Sequence, residues 1–338
     1  MTEKPKLETV AKRAGVSTAT ASQVMRGTGR ISDKTRKKVL QAASELHYVP
    51  DSRAASMRSG QNREIGFVIN QISNPFNAEV ISGVSDLLEA EGYLVSVLDA
   101  RDDPERQRRH IEAFIRNGRG GLLWVPADET PEATFDLLAA YRTPAVTFLR
   151  RSPGQAFDHV GIRNAEATIA ATAFLADLGH RHIAYLGGTG LTDVRRERIS
   201  GYTQVLEERG LAAPVIWETG DNKLAGMDAF QELQQSHPEV TAVVCNGDMV
   251  ALGACLALIR AGKLPGKDVS VIGFDDIPDA AAATPPLTSM AVSPYQLGPR
   301  LARVPLDRIR EPDMPQTVLE FSAELKVRET AGAPRNTP

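Results

Sequence analysis

The sequence predicts two structural classes in one chain: an all-α helix-turn-helix headpiece, then an α/β core of two doubly wound lobes. Three observations predict this. Two short amphipathic helical patterns joined by a glycine turn open the chain. That opening is strongly basic while the remainder is acidic. From Ile65 onward, apolar strand-like runs alternate with amphipathic helical stretches in two successive series.

The opening pattern occupies residues 7–26. Leu7, Val10, Ala11 and Ala14 fall at the spacing of one buried helical face. Gly15 ends that helix, because it accepts a positive φ where the chain turns sharply. Val16 plugs the turn, and Ser17 is a good N-cap for the next helix. Ala21, Val24 and Met25 form the buried stripe of the second helix. Thr18, Ala19, Thr20, Ser22 and Gln23 are left facing outward, on a helix whose N-terminal end can enter a DNA major groove. An ordinary helical hairpin within a larger core is the competing reading, and charge weighs against it. Residues 1–63 hold thirteen basic and five acidic side chains, a net +8, whereas the whole chain carries −3, which leaves −11 for the rest. A basic head on an acidic body suits a reader of polyanions joined to something else.

After Gly27-Thr28-Gly29, Ser32 caps a third helix whose stripe is Val39, Ala42, Ala43 and Leu46. His47-Tyr48-Val49-Pro50 stops it, since proline disfavours helix at the preceding residue, and the headpiece spans 1–50. Residues 51–62 read as a hinge and linker. Asp51 to Arg58 is alanine-rich and helix-prone but only two turns long, so it folds only when something holds it.

Core strands are expected at Ile65–Ile69, Tyr93–Leu98, Gly121–Val125 and Ala145–Leu149, then at Ile183–Gly187, Val215–Glu218, Ala242–Cys245 and Val269–Phe274. Helices are expected between them, among others over Ala78–Ala90, Pro104–Asn117, Glu166–Leu178, Arg196–Arg209 and Met249–Ala261. Eight strands in two series indicate two lobes. After Pro285-Pro286 the alternation breaks into a strand at Thr288–Val292, a helical piece near Tyr295–Ile309 and one strand over Val318–Val327. Pro299 and Pro305 require that this helix either starts late or is kinked. A polar tail over 331–338 is expected to be disordered.

In open α/β folds, ligands bind at the carboxyl ends of strands. The candidates there are Asn70, Gln71 and Phe76; Arg150 and Arg151; Arg198; Asp221 and Asn222; Asn246 and Asp248; Asp275 and Asp276. Gly187-Gly188-Thr189-Gly190 lacks the dinucleotide spacing and reads as a tight turn. The chain has no G-x-S-x-G elbow, no Walker A pair and no His/Cys metal spacing. Its six histidines are scattered, and His180 and His182 read as exposed loop residues. Cys245 and Cys255 sit in apolar runs as small buried residues. The expectation is a non-enzyme with no cofactor and no metal. No signal-peptide core or bilayer-length apolar run is present, so no membrane partner and a cytoplasmic location are expected.

Several stretches, in order, carry a family resemblance. They are Val10-Ala11-Lys12-Arg13-Ala14-Gly15-Val16-Ser17, Thr20 with Ser22 and Val24, Tyr48-Val49-Pro50, Ile65-Gly66-Phe67-Val68 and Ser73-Asn74-Pro75-Phe76. Further on come Leu178-Gly179-His180-Arg181-His182-Ile183, Arg198 with Gly201-Tyr202, Asp248 with Ala251-Leu252-Gly253, and Val269 to Asp276. From about residue 6 to 329 the chain resembles the lactose-repressor/galactose-repressor family of bacterial transcription regulators.

The resemblance implies a repressor that binds a near-palindromic double-stranded operator as a homodimer. Its core would be periplasmic-binding-protein-like and controlled by a small sugar-like effector between the lobes. Three crossings between lobes would give one lobe from 63–162 plus 293–320 and the other from 163–292 plus 321–330. By position, Thr18, Ala19 and Gln23 match base-reading residues. Gln23 suits a bidentate contact to adenine, and the methyl of Thr18 or Ala19 suits a thymine methyl. Ser17, Thr20, Ser22, Arg26, Lys12 and Arg36 suit phosphate contacts or caps. The hinge would place Met57 as a minor-groove wedge beside Ala54, Ala55 and Arg58.

Arg198 and Asp275 match residues that hold polar groups of the effector. Asn70, Phe76, Asn222, Asn246 and Asp248 complete the expected effector set. The family's usual asparagine before Asp248 is Gly247, its aromatic after Asp221 is Asn222, and its common aspartate is Arg150. Arg150 and Arg198 in one cleft would suit an anionic effector, an acidic or phosphorylated sugar; the alternative is that Arg150 and Arg151 pair with nearby acids at the lobe surface. Two other readings fail on the sequence. A periplasmic-type solute carrier needs an export signal and no basic head, and an α/β enzyme needs phosphate-loop or catalytic motifs.

Overall fold

The computed structural model describes residues 4–50, 62–118, 120–190 and 192–335. The chain divides into two compact units, residues 1–62 and 63–338. The expected hinge, with Ala54, Ala55, Met57 and Arg58, lies outside the described residues.

The first unit holds α1 (Leu7–Ala14), α2 (Thr18–Met25) and α3 (Asp33–Glu45). Gly15 adopts φ +67°, and the Val16 amide donates to Ala11 O at 3.0 Å, closing α1 with a left-handed turn. Ser17 and Ser32 both cap: their Oγ atoms accept the Thr20 and Thr35 amides at 3.1 and 3.3 Å. Val10, Ala21, Val24 and Val39 meet in a small apolar core. Outside it, Arg13 joins α1 to Glu45 of α3 at 3.0 Å, and this pairing holds the Glu45 carboxyl below its ordinary range.

The second unit begins with β1 (Glu64–Ile69), α4 (Pro75–Ala90), β2 (Leu94–Asp99), α5 (Pro104–Arg116), β3 (Gly121–Trp124), α6 (Glu132–Ala140), β4 (Ala145–Phe148) and β5 (Asp158–Ile162). A second series follows: α7 (Asn164–Asp177), β6 (Ile183–Leu186), α8 (Asp193–Glu208), β7 (Val215–Trp217), α9 (Lys223–Ser236), β8 (Ala242–Cys245), α10 (Asp248–Arg260), β9 (Ser270–Asp275), α11 (Pro278–Ala282) and β10 (Thr288–Ala291). The chain then returns through α12 (Pro294–Arg310) and ends in β11 (Val318–Phe321) and β12 (Glu324–Lys326).

Two six-stranded sheets result, in the orders β11-β5-β4-β3-β1-β2 and β12-β10-β9-β8-β6-β7. The described pairings are parallel except the antiparallel β10–β12. Every residue of β3, β4, β6 and β8 is buried, as expected of parallel strands covered by helices on both faces.

Several expectations are corrected. The single strand over Val318–Val327 is two strands in different sheets: β11 pairs with β5 and β12 with β10. The chain therefore changes sheet between Phe321 and Glu324. A fifth strand, β5, was not anticipated because Asp158 and His159 interrupt its apolar pattern. Both are nevertheless buried and satisfied. Asp158 is gripped by Arg308 at 2.8 and 3.0 Å, and His159 Nδ1 pairs with Thr147 Oγ1 at 2.9 Å. Desolvation lowers the His159 pKa to about 4, keeping the ring neutral.

α12 is one continuous helix with Pro299 and Pro305 inside it, so it does not start late. Pro299 supplies no N–H to the Tyr295 carbonyl. That carbonyl instead lies against Gly83 of α4, where a Cβ would stand only 2.1 Å from Tyr295 O. Gly298 makes the reciprocal approach, with Val80 O 2.5 Å from the position of its missing Cβ. The crossing of α4 and α12 thus depends on two glycines.

The tail is packed rather than disordered as far as Arg335. Thr330 Oγ1 donates to Val271 O at 2.7 Å, and Arg335 pairs with Asp268. His180 is likewise not an exposed loop residue. It is 1% exposed, with Nδ1 2.8 Å from Thr241 Oγ1 and Nε2 2.8 Å from Gly332 O. His182, by contrast, is exposed.

Candidate functional site

In the headpiece, α2 buries Ala21 and Val24 and leaves Thr18, Ala19 and Gln23 exposed. The three therefore lie on the outward side of α2, Ala19 and Gln23 as an i,i+4 pair and Thr18 just before Ala19. Ser17 and Thr20 are committed to the cap, their hydroxyls 2.9 Å apart, and Arg26 Nε reaches back to Ser22 O at 3.2 Å. The Gln23 amide lies beside Gly29, whose φ is +81° and whose missing Cβ would be 3.1 Å from Gln23 Oε1. A side chain at this position would adopt a strained backbone and push the glutamine amide by a few tenths of an ångström.

In the core, strand order reverses between β1 and β3 and again between β6 and β8. Such switch points leave a crevice at the carboxyl ends of the strands. A cavity of about 640 Å³ opens there, between the two sheets. The cavity is lined by Asn70, Phe76, Arg150, Arg198, Asn246 and Asp275 from the expected set. Phe76 gives it an apolar wall, stacked on Phe148 with ring centroids 6.2 Å apart.

Two expected residues are elsewhere. Asn222 caps α9, its Oδ1 accepting the Ala225 amide at 2.9 Å, and does not line the cavity. Asp248 lies beneath the floor, 0% exposed, and accepts bonds from Ser289 Oγ at 2.6 Å and the Ile277 amide at 2.9 Å. Gly273 makes room for it, since a Cβ there would sit 2.1 Å from Asp248 Oδ1. Burial pushes the Asp248 carboxyl up to about 7.

Three of the four arginines of the lining are engaged, and the fourth, Arg101, is exposed and 3.6 Å from Asp99. Arg198 Nε donates to Asn164 Oδ1 at 2.9 Å and Nη1 to Asn246 O, while its guanidinium carbon lies 3.5 Å from the centre of the Phe274 ring. Arg195 donates to Gly187 O and Gly190 O at 3.3 and 2.8 Å. Arg150 forms a bidentate pair with Asp102 and also donates to Pro126 O at 3.0 Å.

The carboxylates are less well supplied. Asp221 accepts one bond from Asn74 Nδ2 at 3.3 Å, and its buried Oδ1 has no partner among the described residues. Asp275 sits at φ +114° and turns toward the same space. Burial raises both carboxyls above their ordinary range, against the pull of Arg198. The cavity therefore offers acceptors more than free donors.

Asp102, Arg195 and Asn74 are lining residues that sequence reasoning did not select. Asp102 follows an edge strand 48 positions before Arg150, so nothing local links them. Asn74 was visible only as part of Ser73-Asn74-Pro75. Among the described residues, no cluster of three potential ligands could hold a metal, and no helix is long and apolar enough to cross a membrane.

Residues 172–331 match the model of a periplasmic binding protein-like domain, and residues 6–51 match that of bacterial regulatory proteins, lacI family. The chain is 30% identical over 327 residues to the HTH-type transcriptional repressor PurR of Pasteurella multocida, covering 96% of this chain and 98% of that one. Among solved structures, the complex of the transcriptional regulator CelR with cellobiose superposes with a TM-score of 0.72 at 27% identity, covering 97% of this chain and all of that one. The lac repressor dimer bound to operator and the anti-inducer ONPF has the same fold, with a TM-score of 0.84 at 24% identity, covering 98% and 100%.

Proposed function

The chain belongs to the lacI family of bacterial regulatory proteins, and from that premise we propose how it reads DNA and what it senses. It is a DNA-binding transcription regulator controlled by a small metabolite, and not an enzyme. It acts as a repressor in the cytoplasm, where the chromosome is. Two copies bind a near-palindromic operator, each placing α2 in the major groove. Thr18, Ala19 and Gln23 read base edges, while Ser17, Thr20, Ser22 and Arg26 lie at the phosphates. Ala54, Ala55, Met57 and Arg58 form the hinge contact to the minor groove.

The effector is a neutral, hydroxyl-rich molecule of the sugar class. One observation carries this: the cavity holds two half-buried carboxylates, Asp221 with an unmatched buried oxygen, while Arg150, Arg195 and Arg198 are already engaged. Hydroxyls that donate to Asp221 and Asp275 relieve those acceptors, and Asn70, Arg198 and Asn246 orient the remainder. An anionic effector is less well matched, because the Arg150 fork that would grip it is filled by Asp102.

A mobility-shift titration with DNA from upstream of the gene, with and without a panel of neutral sugars, tests the reading. Specific binding that a sugar strengthens or weakens supports it. By linkage, operator must change the affinity for that sugar by the same factor. Absence of any specific DNA complex would overturn it.

A further inference from the structure

We propose that Asp102 sets the charge selectivity of the cavity: by holding Arg150 in an internal ion pair, it makes the site refuse anionic ligands. The proposal rests on reading this cavity as the effector site.

Both partners are brought to the pair by the backbone. Arg101 and Asp102 adopt consecutive left-handed conformations, φ +53° and +54°, in the loop that follows β2. Leu149, at φ +62°, turns the chain immediately after β4 and presents Arg150. Side chains rarely adopt this region, and here three of them do so around one ion pair.

The contact is the fork geometry that an oxyanion ligand would need. Arg150 Nη1 meets Asp102 Oδ1 and Nη2 meets Oδ2 at 2.9 Å, so both carboxylate oxygens are used. A third donor bond reaches Pro126 O, and Asp102 Oδ1 also accepts the Asp128 amide at 3.2 Å. The Arg150 side chain is 15% exposed and Asp102 39%, so the carboxylate forms the outer, wetter side of the pair.

A phosphate or carboxylate arriving from solvent must displace a carboxylate already tethered in place, whose effective concentration is far above that of a free metabolite. None of the other three lining arginines offers a held fork: Arg195 and Arg198 are directed at main-chain carbonyls and Asn164, and Arg101 is solvent-exposed and lies 3.6 Å from Asp99. The formal charge of the lining is also balanced, with Asp99, Asp102, Asp221 and Asp275 against four arginines. Removing the Asp102 charge alone turns that balance positive and frees the fork.

The test uses the full chain and inorganic phosphate as the probe, read by calorimetric titration and thermal shift at constant ionic strength. The wild type is expected to show no phosphate effect beyond that of chloride. Asp102→Asn is expected to gain a saturable phosphate site at least tenfold tighter than any in the wild type. The double variant Asp102→Asn/Arg150→Met is expected to lose it. Asp102→Ser provides a second route should the amide misfold. The proposal is overturned if neither single variant gains phosphate affinity, or if the gain survives loss of Arg150. Failure of the effector-site reading is distinguishable: neutral sugars would then leave operator binding unchanged whatever phosphate does.

Discussion

Asn74 and Asp221 meet across the cavity, Asn74 Nδ2 donating to Asp221 Oδ2 at 3.3 Å. Asn74 also caps α4, its Oδ1 accepting the Phe76 amide at 3.0 Å. One side chain thus ties the first turn of α4, in the first lobe, to the loop after β7 in the second. Its partner is a carboxylate with one buried oxygen still unmatched.

Replacing Asp221 by Asn should separate folding from sensing. Burial raises the Asp221 carboxyl pKa, so its ionised form opposes folding at neutral pH. The variant is expected to be at least as stable as the wild type. Its sugar affinity should fall by about tenfold, as one charge-assisted acceptor is lost. Thermal melts with and without ligand measure both effects, and unchanged affinity would remove Asp221 from the site.

Asp248 should give the core a distinct pH signature. Its carboxyl is pushed up to about 7 by burial, from an ordinary value of 3.8. Between these values the unfolded chain has released a proton that the folded chain keeps. Stability is therefore full below the lower value, falls as pH rises, and levels off above about 7. The slope is about 1.4 kcal/mol per pH unit for one proton. Urea unfolding of wild type and Asp248→Asn across this range should show a steeper fall in the wild type, the difference reporting Asp248 and the shared slope the raised Asp221 and Asp275 carboxyls. Parallel curves would falsify the assignment.

Gln23→Ala should relax base preference at one position per half-site, costing about 1–3 kcal/mol there. Binding to a library of operator variants measures it. A uniform loss across all sequences would make Gln23 a phosphate contact instead.

Gly247→Asn should stabilise the empty protein and weaken sugar binding. Gly247 begins α10 without a side-chain cap, and asparagine supplies one, for a gain of a few tenths of a kcal/mol over glycine. A Cβ there would stand 3.2 Å from Asp221 Oδ1 and 3.5 Å from Asp275 Oδ2, so the new amide enters the space between the two carboxylates. Denaturant unfolding and ligand titration test the pair of effects. Sugar affinity equal to wild type would show that this space is not used.

Local features were legible wherever one residue decides a local outcome. Gly15 and Ser17 mark the turn and cap of the headpiece because a positive φ and a hydroxyl N-cap act over a few residues. Strand ends were legible for the same reason and led to Asn70, Arg150, Asn246 and Asp275 in the lining, whereas Arg198, also expected just after a strand, lies inside α8. Asp158, His159 and His180 were misjudged because their partners lie far along the chain. Asp158 and His159 look unsuited to a buried strand until Arg308 and Thr147 are beside them. His180 looks exposed until the tail carbonyl of Gly332 covers it. Asn222 stands at a strand end yet is consumed by its own helix cap.

By itself, then, the sequence determined the helix-turn-helix, the two alternating series, the basic head and the outward residues Thr18, Ala19 and Gln23. These follow from periodicity, capping and composition, which are short-range properties. Only the tertiary structure decided which polar residues of the core remain free to meet a ligand. Arg150 is neutralised by Asp102, Asp248 lies under the floor, and Asp221 keeps an unmatched oxygen in the cavity. Hydrogen bonds and charges are satisfied in space and not along the chain, so only the folded arrangement determines which donors and acceptors are left over.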